Sequence, residues 1–145
     1  MKLPAALTLA LAATPALADW ERVEAEGSVS EVTDRLEAAV VEAGATVFAR
    51  VNHAEGAVSV EMDLPDAELL IFGNPRLGTS AMQQDIRAGV VLPLRVLVAD
   101  VEGQTVLIYE EVEEMFDDTD VDDDAEFVEA MEDALETLTE RAARD

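Results

Sequence analysis

The sequence predicts an α+β two-layer sandwich, a mixed or antiparallel sheet with helices on one face. Three observations carry that expectation. Helix and strand patterns alternate through the first half, two strand patterns around Glu102-Gly103 read as a hairpin, and an apolar stripe at helical spacing lies near the C-terminus. A length of 145 residues suits one domain with one core. Leu, Ile, Val and Phe number 41, enough for so charged a chain to fold and not stay disordered.

The elements are justified in order. Lys2 precedes an apolar run from Leu3 to Leu17, interrupted by Pro4 and Pro15, and Ala16 and Ala18 form an A-x-A cleavage pattern. Residues 1–18 therefore read as a secretory signal peptide, too short to span a membrane. Cleavage near Ala18 would release a periplasmic or secreted chain beginning at Asp19. Trp20 to Gly27 alternates weakly, as a strand does. Ser28 and Glu31 have capping-box spacing, and Val32, Leu36, Ala39, Val40 and Ala43 share one helical face that Gly44 ends.

Thr46 to Val51 is β-branched and aromatic, hence a strand. Asn52 to Asp63 stays open between a turn plus strand and a short helix from Ala54 to Val60, because Gly56 weakens both. Leu64-Pro65-Asp66 is a turn. The unbroken apolar run Leu69 to Phe72 suggests a strand lying centrally in the sheet, ended by Gly73-Asn74-Pro75. Thr79 or Ser80 is expected to cap a helix that reaches about Ala88 and closes at Gly89. Leu94 to Asp100 and Gln104 to Glu110 form the hairpin.

From about Asp124 to Ala143, Phe127, Val128, Met131, Leu135 and Leu138 recur at helical spacing. The acidic segment 116–145 is thus expected to dock by one helix face on the domain formed by residues 19–115.

Charge narrows the partners. With 33 Asp+Glu against 9 Lys+Arg the formal charge is −24, and no basic stripe exists to neutralise phosphates. Nucleic acid is excluded as a partner, and no second apolar run is long enough for membrane insertion. The absence of Cys removes disulfides, thiolate zinc sites, iron–sulfur ligation and Cys nucleophiles together. Without residues 1–18 the chain has no Lys and a charge of −25, of which −17 falls in residues 100–145. Such a surface looks adapted to salt, where counterions screen self-repulsion.

Several stretches carry a resemblance. They are Arg35-Leu36-Glu37 with Gly44, then Val47-Phe48-Ala49-Arg50-Val51-Asn52-His53-Ala54, and Leu69 to Pro75 (LLIFGNP). Gly78-Thr79, Met82-Gln83, Leu92-Pro93-Leu94 and Val96-Leu97-Val98 follow in the same order. On these residues, from Ser28 to about Tyr109, the chain resembles the bacterial and archaeal family called domain of unknown function 302. The resemblance implies an α+β domain able to pair as a homodimer, and it carries no settled activity. Asn52 stands where the family usually has Asp, so a carboxylate-oriented imidazole at His53 is lost. Tyr109-Glu110-Glu111-Val112 replaces the family's Tyr-Asn-Asp-Pro ending.

Three constellations are candidate sites. Gly73 to Ser80 imitates P-loop spacing, but Thr79 stands where the lysine belongs, so nucleotide binding is rejected. A small anion at the helix N-terminus, helped by Arg76, or a plain strand–turn–helix connection remains. His53 is the only imidazole; with Met82 it suggests copper or haem, although two ligands specify neither. Asp118, Asp120, Asp122 and Glu129 fit acidic positions of a calcium loop, but Asp123 occupies the place of its required Gly.

No signature of a hydrolase triad or zinc protease is present. The expected function is a secreted small-ligand-binding or interaction module acting as a homodimer, and the sequence marks no reaction. Its ligand candidates are His53, Asn52, Asn74, Arg76, Thr79, Met82 and Gln83, and no cofactor is implied. The alternatives are a metal- or haem-dependent redox accessory or enzyme using His53, and a calcium-stabilised acidic domain.

Overall fold

The computed structural model describes residues 20–144. The expected signal peptide lies outside the described residues.

Strand β1 (Trp20–Glu24) leads into helix α1 (Val29–Glu42), which starts where its sequence says it should. Ser28 donates its backbone N–H to Glu31 Oε2 at 2.8 Å, and Glu31 N–H donates to Ser28 Oγ at 3.4 Å. This reciprocal cap satisfies two donors that a helix start leaves free. Val32, Leu36 and Val40 are fully buried along one face, each contributing roughly 1.5–3 kcal/mol relative to exposure. Gly44 closes the helix with φ at +76, a conformation that favours glycine.

Strand β2 (Thr46–Asn52) runs directly into the short helix α2 (His53–Val58). The open choice in this stretch resolves to helix because Asn52 caps it, accepting the Glu55 N–H at 2.9 Å. Strand β3 (Ala67–Gly73) is followed by α3 (Pro75–Gln84) and the single turn α4 (Ala88–Val91). The helix expected behind a Thr79 or Ser80 cap is thus capped by Asn74 instead, and it ends at Gln84, short of Ala88. Pro75 suits the first helical position, and Asn74 accepts the Arg76 N–H at 2.9 Å. Gly78 lies inside the helix, its N–H given to Asn74 O at 3.1 Å, and Thr79 does not cap it.

Strands β4 (Leu94–Val101) and β5 (Gln104–Glu110) form the expected hairpin. Glu102 and Gly103 both have positive φ, 57 and 85, the backbone of a two-residue turn matched to strand twist. A short helix α5 (Val112–Phe116), unmarked in the sequence, precedes the long α6 (Glu126–Ala143).

The five strands form one antiparallel sheet in the order β1-β5-β4-β3-β2, within an α+β architecture. The central strand is therefore β4, and β3 lies between it and the edge strand β2. Cross-strand pairs share a face. Leu70 with Val96, Phe72 with Leu94, and Val98 with Leu107 join the core under α1 and α6. Along α6, Val128, Met131, Leu135, Leu138 and Ala142 are buried against it. The alternate residues Leu69, Ile71, Leu97 and Ile108 are only half-buried on the other face. The apolar run of β3 is thus covered more deeply on one side than on the other, although Ala99 and Val106 on that second face are buried too.

Candidate functional site

A cavity of ≈ 360 Å³ opens where β3 passes into α3. Its floor is Phe72 and Leu94 from the core face of the sheet, and Leu77 and Met82 come from α3. Met131 and Leu138 of α6 close the opposite wall, while Phe48 lines the rim. Among the described residues no charged side chain lines it, and the polar side chains are Asn74 and Thr79. Such a hollow suits a small neutral molecule, with apolar walls for affinity and a few polar atoms for orientation.

Local chemistry explains how these side chains arrive. Asn74 is held at the cleft by its capping bond to Arg76 N–H, and further along α3 come Thr79 and Met82. A bulge between Val47 and Ala49 interrupts the pairing of β2 with β3 at Phe48, which remains 53% exposed. Gly89 of α4 stands so close to Met82 that an added Cβ would meet its sulfur at 3.1 Å. Asn74, Thr79 and Met82, all named by the sequence, converge here. Phe48, Leu77, Leu92, Met131 and Leu138 were not among the expected site residues. Met131 carries a helical-stripe signal, but nothing local marks it as a cleft wall.

His53 is elsewhere. It lines a groove of ≈ 460 Å³ with Trp20, Leu69, Arg95, Leu97 and Ile108, on the sheet face away from α1 and α6. His53 and Met82 therefore line different hollows and do not form a shared ligand pair. Asn52 turns to its own helix start and donates Nδ2 to Glu68 Oε1 at 3.4 Å. A carboxylate at position 52 would face Glu68 instead of bonding to it. Arg76 and Gln83 are exposed, and neither lines the cleft.

The acidic connection has its own partners. Arg87 Nη1 donates to Asp118 O at 3.1 Å, and Arg87 Nη2 pairs with Asp120 at 3.0 Å. Asp85 accepts the Asp120 N–H at 2.8 Å, and Gln84 accepts the Asp122 N–H at 2.9 Å. Hydrogen bonds from Arg87 and from the Asp120 amide hold the Asp85 carboxyl down at about 2. Among the described residues, no group of three or more His, Asp or Glu is arranged to hold a metal ion. A further hollow brings Glu21, Glu113, Glu132 and Glu136 together between β1, α5 and α6. There, burial first and Glu113 second push the Glu132 carboxyl up.

Comparison with known proteins gives a consistent fold. The family model described as domain of unknown function DUF302 matches residues 21–140, a span that reaches into α6. The crystal structure of an uncharacterized conserved DUF302 protein from Bacillus stearothermophilus superposes with a TM-score of 0.77 at 18% identity. That likeness covers 85% of this chain and 97% of the other. A protein named fluoride-specific ion channel FluC 1 from Brucella suis biovar 1 is 44% identical over 75 residues. Those residues are 52% of this chain and 30% of that protein. FluC 2 of Brucella melitensis biotype 1 matches at 44% over 75 residues, with 28% of its length covered. The chain thus spans less than a third of the curated relatives it matches, and their name describes those whole proteins. No helix among the described residues is long and apolar enough to cross a membrane.

Proposed function

This chain belongs to the DUF302 family, and from that premise we propose that it is a non-enzymatic module binding a small, neutral, apolar ligand. The observation that supports the reading is the uncharged ≈ 360 Å³ cleft between α3, α4 and α6, entered past Asn74 and Thr79. A chain of formal charge −24 repels anions, and among the described residues no carboxylate lines the cleft to attract a cation. A neutral ligand meets neither penalty. The module acts in the periplasm after loss of residues 1–18, and it acts as a homodimer.

The test is a neutral naphthylamine dye whose fluorescence rises in apolar surroundings, titrated into purified protein. A saturable rise with a dissociation constant near ~10 μM is expected. Ala134→Phe, which fills the cleft from α6, should weaken binding at least about tenfold while circular dichroism stays unchanged. No rise, or one indifferent to Ala134→Phe and to Met82→Trp, refutes the reading. Localisation is read separately, by osmotic-shock fractionation of cells that carry the full sequence. Recovery in the cytoplasm with residues 1–18 intact would overturn the periplasmic assignment.

A further inference from the structure

We infer, on the basis of the apolar-ligand reading above, that the molecule held in the cleft is a neutral carbonyl compound. Its oxygen lies at the mouth and accepts hydrogen bonds from Asn74 and Thr79, while its apolar body points inward.

The polar side chains of the cleft present donors. The Asn74 amide oxygen is already engaged, because it accepts the Arg76 N–H at 2.9 Å to cap α3. What the amide has left is its Nδ2 group, which has no partner among the described residues. Thr79 differs from its neighbour in the same helix. Ser80 donates its hydroxyl to Arg76 O at 3.1 Å, one turn back. The Thr79 hydroxyl makes no such bond among the described residues and stays free to donate at the cleft.

Their position grades the cleft. Asn74 and Thr79 are exposed, whereas Phe72, Leu94, Met131 and Leu138 are buried. Donors therefore stand at the open side and hydrocarbon at the closed one. A molecule with one acceptor end fits both, since its body is dehydrated without burying an unpaired polar atom.

Charge and size narrow the class. A carboxylate would also accept from both donors, but among the described residues no cation lines the cleft to balance it, and the chain is formally −24. A carbonyl oxygen is uncharged and offers two lone pairs to the two donors. At an interior packing density of about 0.75, the ≈ 360 Å³ hollow holds roughly a dozen non-hydrogen atoms. A ketone or ester on one aromatic ring or a short alkyl chain has that size.

Acetophenone and isopropylbenzene test this, because they share a shape and only the first carries an oxygen. Each is titrated against the bound naphthylamine dye, in the unaltered protein and in Thr79→Val and Asn74→Asp. Thr79→Val keeps the side-chain shape and removes the hydroxyl, while Asn74→Asp keeps a capping oxygen and removes the Nδ2 donor. Acetophenone is expected to displace the dye at least as well as isopropylbenzene, although water holds the ketone more firmly. Each variant should weaken acetophenone at least about threefold and leave isopropylbenzene and the dye within about twofold. Thr79→Val alone decides should Asn74→Asp disturb the circular dichroism. A ratio of the two affinities that neither variant moves overturns the carbonyl assignment and leaves the apolar-ligand reading standing. So does a dye that binds and is displaced by neither compound. A protein that does not bind the dye at all overturns both.

Discussion

Arg50 of β2 donates through Nε to Glu68 of β3 at 2.7 Å, on the core side of the sheet beneath α1. The same guanidinium reaches Asp34 of α1 at 2.6 Å, so one side chain ties the helix to the sheet edge. The Glu68 side chain is only 11% exposed, so its charge depends on this partner. Removing the arginine leaves a nearly buried carboxylate unpaired, which is costly, whereas replacing both partners by apolar groups is often neutral. Arg50→Ala is expected to cost about 2–3 kcal/mol, moderated because the site is near the surface. The double variant Arg50→Met with Glu68→Leu should recover most of that loss. Urea unfolding of both variants beside the unaltered chain checks the sign of each change.

Much of the fold is written in local chemistry. Ser28 with Glu31, Gly44 at a positive φ, and Glu102-Gly103 in the hairpin each state their role within a few residues. The α6 stripe is equally local, since helical spacing alone puts Leu135 and Leu138 on one face. Helix α3 starts earlier than Thr79 suggests, because Asn74-Pro75 offers a cap and a preset first residue together. The unequal cover of the two sheet faces is illegible for another reason. An apolar run such as Leu69 to Phe72 looks the same whether its two sides are covered equally or not. The cleft joins Asn74 and Met82 to Met131 and Leu138, distant in sequence, and only the packing of α6 across the sheet brings them together. The same topology sends His53 to the opposite face from Met82.

Two carboxylates should tilt stability with pH in opposite directions. Asp85 is held at about 2 in the folded chain, against an ordinary value of 3.8. Its contribution is complete above the unfolded value and disappears as pH falls through about 2. Asp85→Asn is therefore expected to flatten the loss of stability between about pH 4 and pH 2. Glu132 is raised, so its relative stabilisation is complete below 4.5 and is lost as pH rises through the folded value. Glu132→Gln should raise the melting temperature at about pH 7, with the gain vanishing near about pH 4. Urea midpoints followed across pH for each variant decide both signs, and a gain for Glu132→Gln that persists in acid would contradict the assignment.

The proximity of Gly89 to Met82 offers a way to narrow the cleft without unfolding the protein. A Cβ at position 89 meets the Met82 sulfur at 3.1 Å, the end of a flexible side chain that yields at little cost. Alanine also relieves a glycine inside α4, an effect of up to about 1 kcal/mol. Gly89→Ala should therefore leave the melting temperature level or slightly higher. Met82 is displaced into the cleft it lines, and dye affinity should fall about threefold to tenfold. Unchanged affinity would mean that Met82 moves away from the cleft.

The acidic connection between α5 and α6 is expected to show no preference for calcium. Its backbone is already held by Arg87, Asp85 and Gln84, and the Asp120 carboxylate is paired with Arg87. A calcium loop needs several oxygens free to converge on one ion, including carbonyls and a bidentate carboxylate. Here Asp118 O accepts from Arg87, Asp122 Oδ1 accepts the Asp124 N–H at 3.2 Å, and Asp123 sits where the turn needs Gly. Divalent ions should therefore act on this segment only as screening charges. Thermal melts in Ca²⁺ and Mg²⁺ at matched ionic strength should rise together, and Arg87→Ala should lower the melting temperature under both. A rise confined to micromolar Ca²⁺ would signal specific binding through linkage, because only a ligand that prefers the folded state shifts the midpoint at such concentrations.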